Sequence, residues 1–262
     1  MLFDFVGSGV SEGDYTSMGV GEAEDLQSVL HEIKNKFGVS EFTLWGRSMG
    51  AVTALYYLTK HYLMDHQQSG ITVRAIVLDS PFASLKRLMY DIANSKTRLP
   101  EFIFAPIVTS IGERVQTKIG MNLLQELDLP VRLKHLQQRQ DHYKLLSRVK
   151  ALFLTSKEDQ LVSYQHVETL HQCFPFYPKE LHYFAGQHSQ PRSEQLKQKC
   201  ASFLCEQLLR SSEGFQPFKA KPAPMPKNIK QEVGKESETK EKGKHFLMGS
   251  FKKMNPPGSP TL

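Results

Sequence analysis

Leu44-Trp45-Gly46-Arg47-Ser48-Met49-Gly50 decides how the rest of this chain is read. The stretch joins an apolar run with strand character, Glu41–Trp45, to a helical pattern that begins at Met49. Gly-x-Ser-x-Gly between a strand and a helix is far more specific than the pattern alone. In that setting the serine sits on a sharp turn with positive φ, and small residues two positions either side let strand and helix approach. The turn lifts the Ser48 hydroxyl beyond the C-terminal end of the strand. The helix that follows brings free N–H groups and its positive dipole end to the same place. Ser48 is therefore the candidate nucleophile, Gly46 and Gly50 are the elbow glycines, and the Met49 N–H is the expected first oxyanion donor.

On either side of this turn, apolar runs alternate with helical patterns up to about residue 210. Leu2–Val6 reads as a short strand ending at Gly7. Glu22–Phe37 reads as a helix with Leu26, Val29, Leu30, Ile33 and Phe37 on one face at the 3.6-residue period. Met49–Tyr62 is a helix with Val52, Leu55 and Leu58 inward. Val73–Leu78, Lys150–Thr155 and Glu180–Phe184 are strands. Val162–Cys173 and Ser193–Leu209 are helices, the latter with Leu196, Cys200, Phe203, Leu204 and Leu208 on one face. Strands alternating with helices imply an α/β architecture, a mainly parallel sheet covered on both faces.

Two segments break the alternation. Residues 84–148 hold no clear strand but three helical patches, Ser84–Ser95, Glu101–Ile119 and Leu136–Ser147. They read as a helical cap insertion between two core segments, 1–83 and 149–210. Within it, Phe102–Val108 either lines an acyl pocket or packs the cap onto the sheet. Residues 211–262 are rich in Pro, Lys, Glu, Ser and Gly, a composition that cannot bury a core and is expected to be disordered. This tail carries ten lysines against five glutamates, so five of the six net positive charges of the 262-residue chain lie there. The folded part is close to neutral, which argues against a nucleic-acid partner. Two apolar-basic patches in the tail, His245–Met248 and Phe251–Met254, suit contact with a membrane surface or partner; a solvated tail without such a role is the plainer reading.

The longest apolar run, Phe102–Ile111, is interrupted by Pro106 and is about half of what a membrane-spanning helix needs. Asp4 breaks the apolar start, and no basic stretch precedes it, so a secretory signal is not expected in this stretch. Three cysteines, Cys173, Cys200 and Cys205, are too few and too irregular for a disulfide framework. A reducing, cytoplasmic setting is the expectation.

A serine nucleophile needs a base, and the base needs an orienter. In chain order the acid is expected next and the histidine last. Asp159 follows the strand Lys150–Thr155 in the polar loop Ser156-Lys157-Glu158-Asp159. His188 follows the next strand in Ala185-Gly186-Gln187-His188. Ser48, Asp159 and His188 would meet at the C-terminal edge of successive strands, where ligands bind in open α/β sheets. Alternatives remain. Asp159 could simply cap the helix after it, Glu158 or Asp79 could be the acid, and His188 could be an ordinary loop histidine. The other histidines read as surface residues.

Asp4-Phe5-Val6-Gly7-Ser8-Gly9, Ser11-Glu12-Gly13, Trp45–Ala51, Leu78-Asp79-Ser80-Pro81-Phe82 and Gly186-Gln187-His188-Ser189 with Arg192 resemble the α/β-hydrolase superfamily. The similarity is strongest to its intracellular α/β-hydrolase-domain and serine-aminopeptidase-like branch, and it covers residues 2 to 210. It implies a Ser-His-Asp hydrolase of a small-molecule or lipid acyl substrate, with no metal or organic cofactor, carried onto Ser48, Asp159 and His188. The resemblance also implies three further strands and a His-Gly-type oxyanion loop ahead of Asp4, about 60 to 90 residues by ordinary element lengths. Without them, unpaired backbone groups beside Glu41–Trp45 would cost about 1 to 3 kcal/mol each, against a net stability of about 5 to 15 kcal/mol. The sequence is accordingly expected to be a truncated isoform, a fragment or an incomplete gene model. A catalytically silent or impaired interaction protein is the competing reading.

Overall fold

The computed structural model describes residues 1–97, 101–174 and 179–209. The basic tail expected over 211–262 lies outside them. Four parallel strands form the sheet: β1 (Glu41–Arg47), β2 (Thr72–Asp79), β3 (Lys150–Thr155) and β4 (Lys179–Tyr183), side by side in that order. The pairing brings Arg47 level with Asp79, Asp79 level with Leu154, and Thr155 level with Tyr183. The strand ends that carry the candidate residues are thus aligned at one edge of the sheet.

Alternation along the strands explains why both faces are covered. Ala75 and Val77 of β2 and Leu152 and Leu154 of β3 pack with Leu196, Cys200 and Leu204 of α10 (Glu194–Leu209). Ile76, Leu78, Ala151 and Phe153 point the other way, into a larger core shared with α1 (Gly21–Phe37), α2 (Met49–Lys60) and α9 (Tyr164–Cys173). Period-two side-chain alternation in strands buried on both faces gives continuous apolar runs, the pattern of a parallel sheet. From Ala51 to Thr59, α2 is buried all round, because the sheet and neighbouring helices enclose it. It ends at Lys60, and α3 (Tyr62–Ser69) starts after a break at His61, earlier than the single helix to Tyr62 that the sequence suggests.

Between β2 and β3 the chain runs through α4 (Leu85–Thr97), α5 (Glu101–Ile119), α6 (Leu123–Glu126), α7 (Leu129–Gln137) and α8 (Gln140–Leu146). Leu127, Leu129, Leu133, Leu136, Leu145 and Leu146 all join the main core. On α5 the inward side is carried by Val108, Gly112, Val115 and Ile119, while Ile103, Ile107 and Ile111 form an exposed stripe at four-residue spacing. Phe102 is 75% exposed. Of the apolar run expected to line a pocket or pin the segment to the sheet, Val108 alone is buried. Among the described residues, no helix is long and apolar enough to cross a membrane.

Three expectations are corrected here. Leu2–Val6 forms no strand, and Leu2 is 98% exposed. Local turn chemistry overrides its β-branched and aromatic content. The Ser8 N–H bonds the Phe5 carbonyl, the Gly7 N–H bonds the Glu12 carbonyl, and the Asp4 carboxylate folds back to the Val10 N–H. Short Asp side chains and glycines favour such turns over a ladder. Phe37 is exposed rather than inward, because α1 ends there and Gly38 closes the helix in the left-handed conformation. His142 and His166, read from sequence as surface residues, are buried; His142 Nε2 lies 3.0 Å from the Leu58 carbonyl, and His166 is held between the Ala83 N–H and the Asp91 carboxylate.

Glu22 in the first turn of α1 is 2% exposed, yet satisfied: its carboxylate accepts the Ser17 N–H, the Ser17 hydroxyl and the Gly19 N–H at 2.6 to 2.8 Å. Glu22→Ala would leave these donors buried and unpaired, a loss expected at about 2 to 4 kcal/mol in urea denaturation. A change below about 0.5 kcal/mol would contradict this account.

Candidate active site

Ser48 stands between β1 and α2 with φ 50° and ψ −117°, a positive φ on a residue with a side chain. Two sets of backbone bonds hold it there. Its N–H donates to the Asp79 carbonyl at 2.7 Å, and its carbonyl accepts the Ala51 and Val52 N–H groups that start α2. Such strain of order 1 to 3 kcal/mol persists where the surroundings over-determine the conformation. The N–H groups ahead of Ala51, Met49's first, have no carbonyl of α2 to bond.

The two flanking glycines are not equivalent, which corrects the sequence expectation. A Cβ on Gly46 would lie 2.5 Å from the Ala51 N and closer still to the Gly50 carbonyl. A Cβ on Gly50 would meet nothing within 4 Å. The close approach of strand and helix is made at Gly46, whereas Gly50 faces open space.

His188 is buried in the loop after β4, and its two ring nitrogens reach two different partners. Nε2 lies 2.9 Å from the Ser48 hydroxyl oxygen, and Nδ1 lies 2.7 Å from Oδ2 of Asp159. The other Asp159 oxygen accepts the Leu161 and Val162 N–H groups at 3.0 and 2.9 Å. Asp159 does not cap the helix after it, whose N-cap is Ser163; one of its oxygens holds the turn at Leu161 and Val162, and the other meets His188. Burial alone would raise the Asp159 pKa. The bonds from His188, Val162 and Leu161 and the field of the imidazole outweigh it and hold the carboxyl below its ordinary range. An ionised Asp159 only accepts, so of the two neutral tautomers of His188 it selects the one with the proton on Nδ1 and the Nε2 lone pair toward the serine hydroxyl.

The alternative acids are placed elsewhere. Glu158 is exposed and its carboxylate accepts the Gly186 N–H. Asp79 is buried and forms a two-pronged ion pair with Arg192, 2.9 Å on each arm. Arg47, which carried no role in the sequence reading, reaches the His188 and Gln190 carbonyls through its guanidinium. Backbone carbonyls as partners leave no sequence pattern, so nothing in the sequence marks that contact.

Among the described residues, no group of three or more His, Cys, Asp or Glu side chains is placed to hold a metal ion. A cavity of about 410 Å³ lies beside the N-terminal loop, α1 and the end of α5, with Tyr15, Ser17, Glu22, Asp25 and Ile119 in its wall. Ser48, Asp159 and His188 do not line it, so it gives no argument about their chemistry.

Residues 1–119 match a family model described as alpha/beta hydrolase fold. A segment of 159 residues is 28% identical to the uncharacterized protein YqkD of Bacillus subtilis (strain 168), covering 58% of this chain; the match spans about half, 49%, of that protein. Two crystal forms of the Pyrococcus furiosus esterase Pf2001 superpose with TM-scores of 0.52 and 0.51 at 19% identity, over 79% of this chain and 68% of theirs.

Proposed function

The chain has the α/β-hydrolase fold, and from that premise we propose that it is a serine hydrolase acting on an acyl ester, thioester or amide through Ser48, His188 and Asp159. The observation that carries this reading is the continuous relay from the Ser48 hydroxyl through His188 to Asp159, at 2.9 and 2.7 Å, on a serine whose backbone is held at positive φ. That the similar Pyrococcus furiosus structures are of an esterase agrees with it.

In the proposed reaction the Ser48 oxygen bonds to the acyl carbon as its proton passes to Nε2 of His188. Asp159 holds the imidazole in the tautomer that can accept this proton and offsets the charge it gains. The Met49 N–H and the positive end of α2 face the carbonyl oxygen as it becomes anionic. His188 then gives its proton to the leaving group, and the acyl chain stays on Ser48. Water, deprotonated by His188, releases the acid and restores the hydroxyl.

The test is pre-steady-state hydrolysis of p-nitrophenyl acetate. We expect a burst of nitrophenol approaching one equivalent, absent in Ser48→Ala. Folded protein with neither burst nor turnover on short and long acyl esters would overturn the proposal and favour a catalytically silent interaction protein.

A further inference from the structure

The loop that carries His188 turns at Gly186, φ 121°, and is closed by the Gln190 N–H on the Gln187 carbonyl and by the Gly186 N–H on the Glu158 carboxylate. The ring must stay within about 0.5 Å of its place for proton transfer. Further ties come from the ends of β1 and β2. Nε and Nη2 of Arg192 bond the two oxygens of the Asp79 carboxylate at 2.9 Å, and Nη1 bonds the Gln187 and Gln190 carbonyls at 3.2 and 3.1 Å. The guanidinium lies over the Phe184 ring at 4.1 Å, which sets its plane. These carbonyls flank His188 on both sides. Arg47, the residue before the serine, takes the carbonyl of His188 itself.

Asp79 is also tied to the nucleophile, because its carbonyl accepts the Ser48 N–H. The serine and the loop of its base are thus both fastened to one residue, the first by the backbone and the second by the carboxylate through Arg192. A buried ion pair is weak evidence of a stabilising role, since desolvation of both charges offsets their attraction. A fork that spans a carboxylate and two carbonyls is a geometric device.

We infer that Asp79 and Arg192 are positioning residues that set the spacing between Ser48 and His188. The inference rests on the proposed hydrolase reading. It predicts a split that charge pairing alone would not give. In Arg192→Lys the ammonium still neutralises Asp79 but cannot span the carboxylate and both carbonyls.

The experiment compares wild type, Arg192→Lys and the double variant Asp79→Asn/Arg192→Gln, which leaves no unpaired buried charge. Melting temperature, kcat and KM for p-nitrophenyl acetate, and the downfield proton NMR signal of the His188 Nδ1–H are measured. Arg192→Lys is expected to melt near wild type, with KM within twofold, kcat lower by about ten- to a hundredfold, and a weakened or exchange-broadened Nδ1–H signal. Wild-type kcat and an unchanged signal in Arg192→Lys overturn the inference while leaving the hydrolase reading in place. A loss of kcat in proportion to the unfolded fraction in both variants overturns it too. Folded wild type that does not turn over p-nitrophenyl acetate removes the reading beneath it.

Discussion

Asp159→Asn is expected to lower kcat by about ten-thousandfold while the protein stays folded. The two Asp159 oxygens have separate tasks. Oδ1 accepts the Leu161 and Val162 N–H groups, and the asparagine carbonyl can keep both bonds. The amide NH2 then faces His188 Nδ1, where a carboxylate oxygen stood 2.7 Å away. A donor facing that nitrogen favours the tautomer with its proton on Nε2, which can no longer accept from the serine hydroxyl 2.9 Å away. The effect is one of tautomer, so KM should move little. The sign of the pH dependence follows from the same contacts. Asp159 is held below its ordinary value of 3.8, so it contributes stability above that value, which is lost as pH falls through its lowered folded-state pKa. The asparagine variant should lack that part of the acid sensitivity. Steady-state kinetics with circular dichroism checks the first expectation, and a variant keeping more than a tenth of wild-type kcat would contradict it.

Gly46→Ala should have the second large effect, on folding as much as on turnover. The added methyl would lie 2.5 Å from the Ala51 N and closer to the Gly50 carbonyl. These are backbone atoms of the first turn of α2, with no flexible end to swing aside. Strand and helix must separate, which disturbs the Ser48 bond to the Asp79 carbonyl. We expect a loss of about 3 kcal/mol or more in urea denaturation, the upper range for overpacking, with activity lost in whatever remains folded. Gly50→Ala is the control. Its Cβ meets nothing within 4 Å, and alanine is the better helix former by about 0.5 to 1 kcal/mol. It should fold at least as stably as wild type. Equal behaviour of the two variants would show that the glycine pattern acts in some other way.

The sequence made legible those features that depend on local pattern and chain order. Lys150–Thr155 is found with the bounds the sequence suggests, because its apolar run Ala151–Leu154 is buried and is bounded by polar Lys150 and Thr155. Strand-turn order put Ser48, Asp159 and His188 forward with Glu158 and Asp79 still open as the acid, and the structure brings the first three together. Contacts to backbone were not legible. Arg47 and Arg192 act on carbonyls, and any residue supplies a carbonyl. Glu22 begins the helix the sequence suggests, but its burial against the Ser17–Gly19 turn depends on backbone N–H groups that no residue pattern marks. His166 looked like a helix-surface residue because its partners, Ala83 and Asp91, lie 83 and 75 residues away. The exposed stripe on α5 escaped for the opposite reason. An apolar run of that length reads as buried, but α5 turns only one narrow side to the core, and Ile103, Ile107 and Ile111 face outward.

The central claim is that Ser48 is a nucleophile activated by His188. Labelling with a fluorophosphonate, followed by peptide mass spectrometry, tests it without any assumption about substrate. The account predicts one covalent adduct per chain, on the peptide that contains Ser48, with no adduct in Ser48→Ala and labelling slowed by about a hundredfold or more in His188→Ala. Folded protein that takes no label, or that labels equally well after Ser48→Ala, would contradict it.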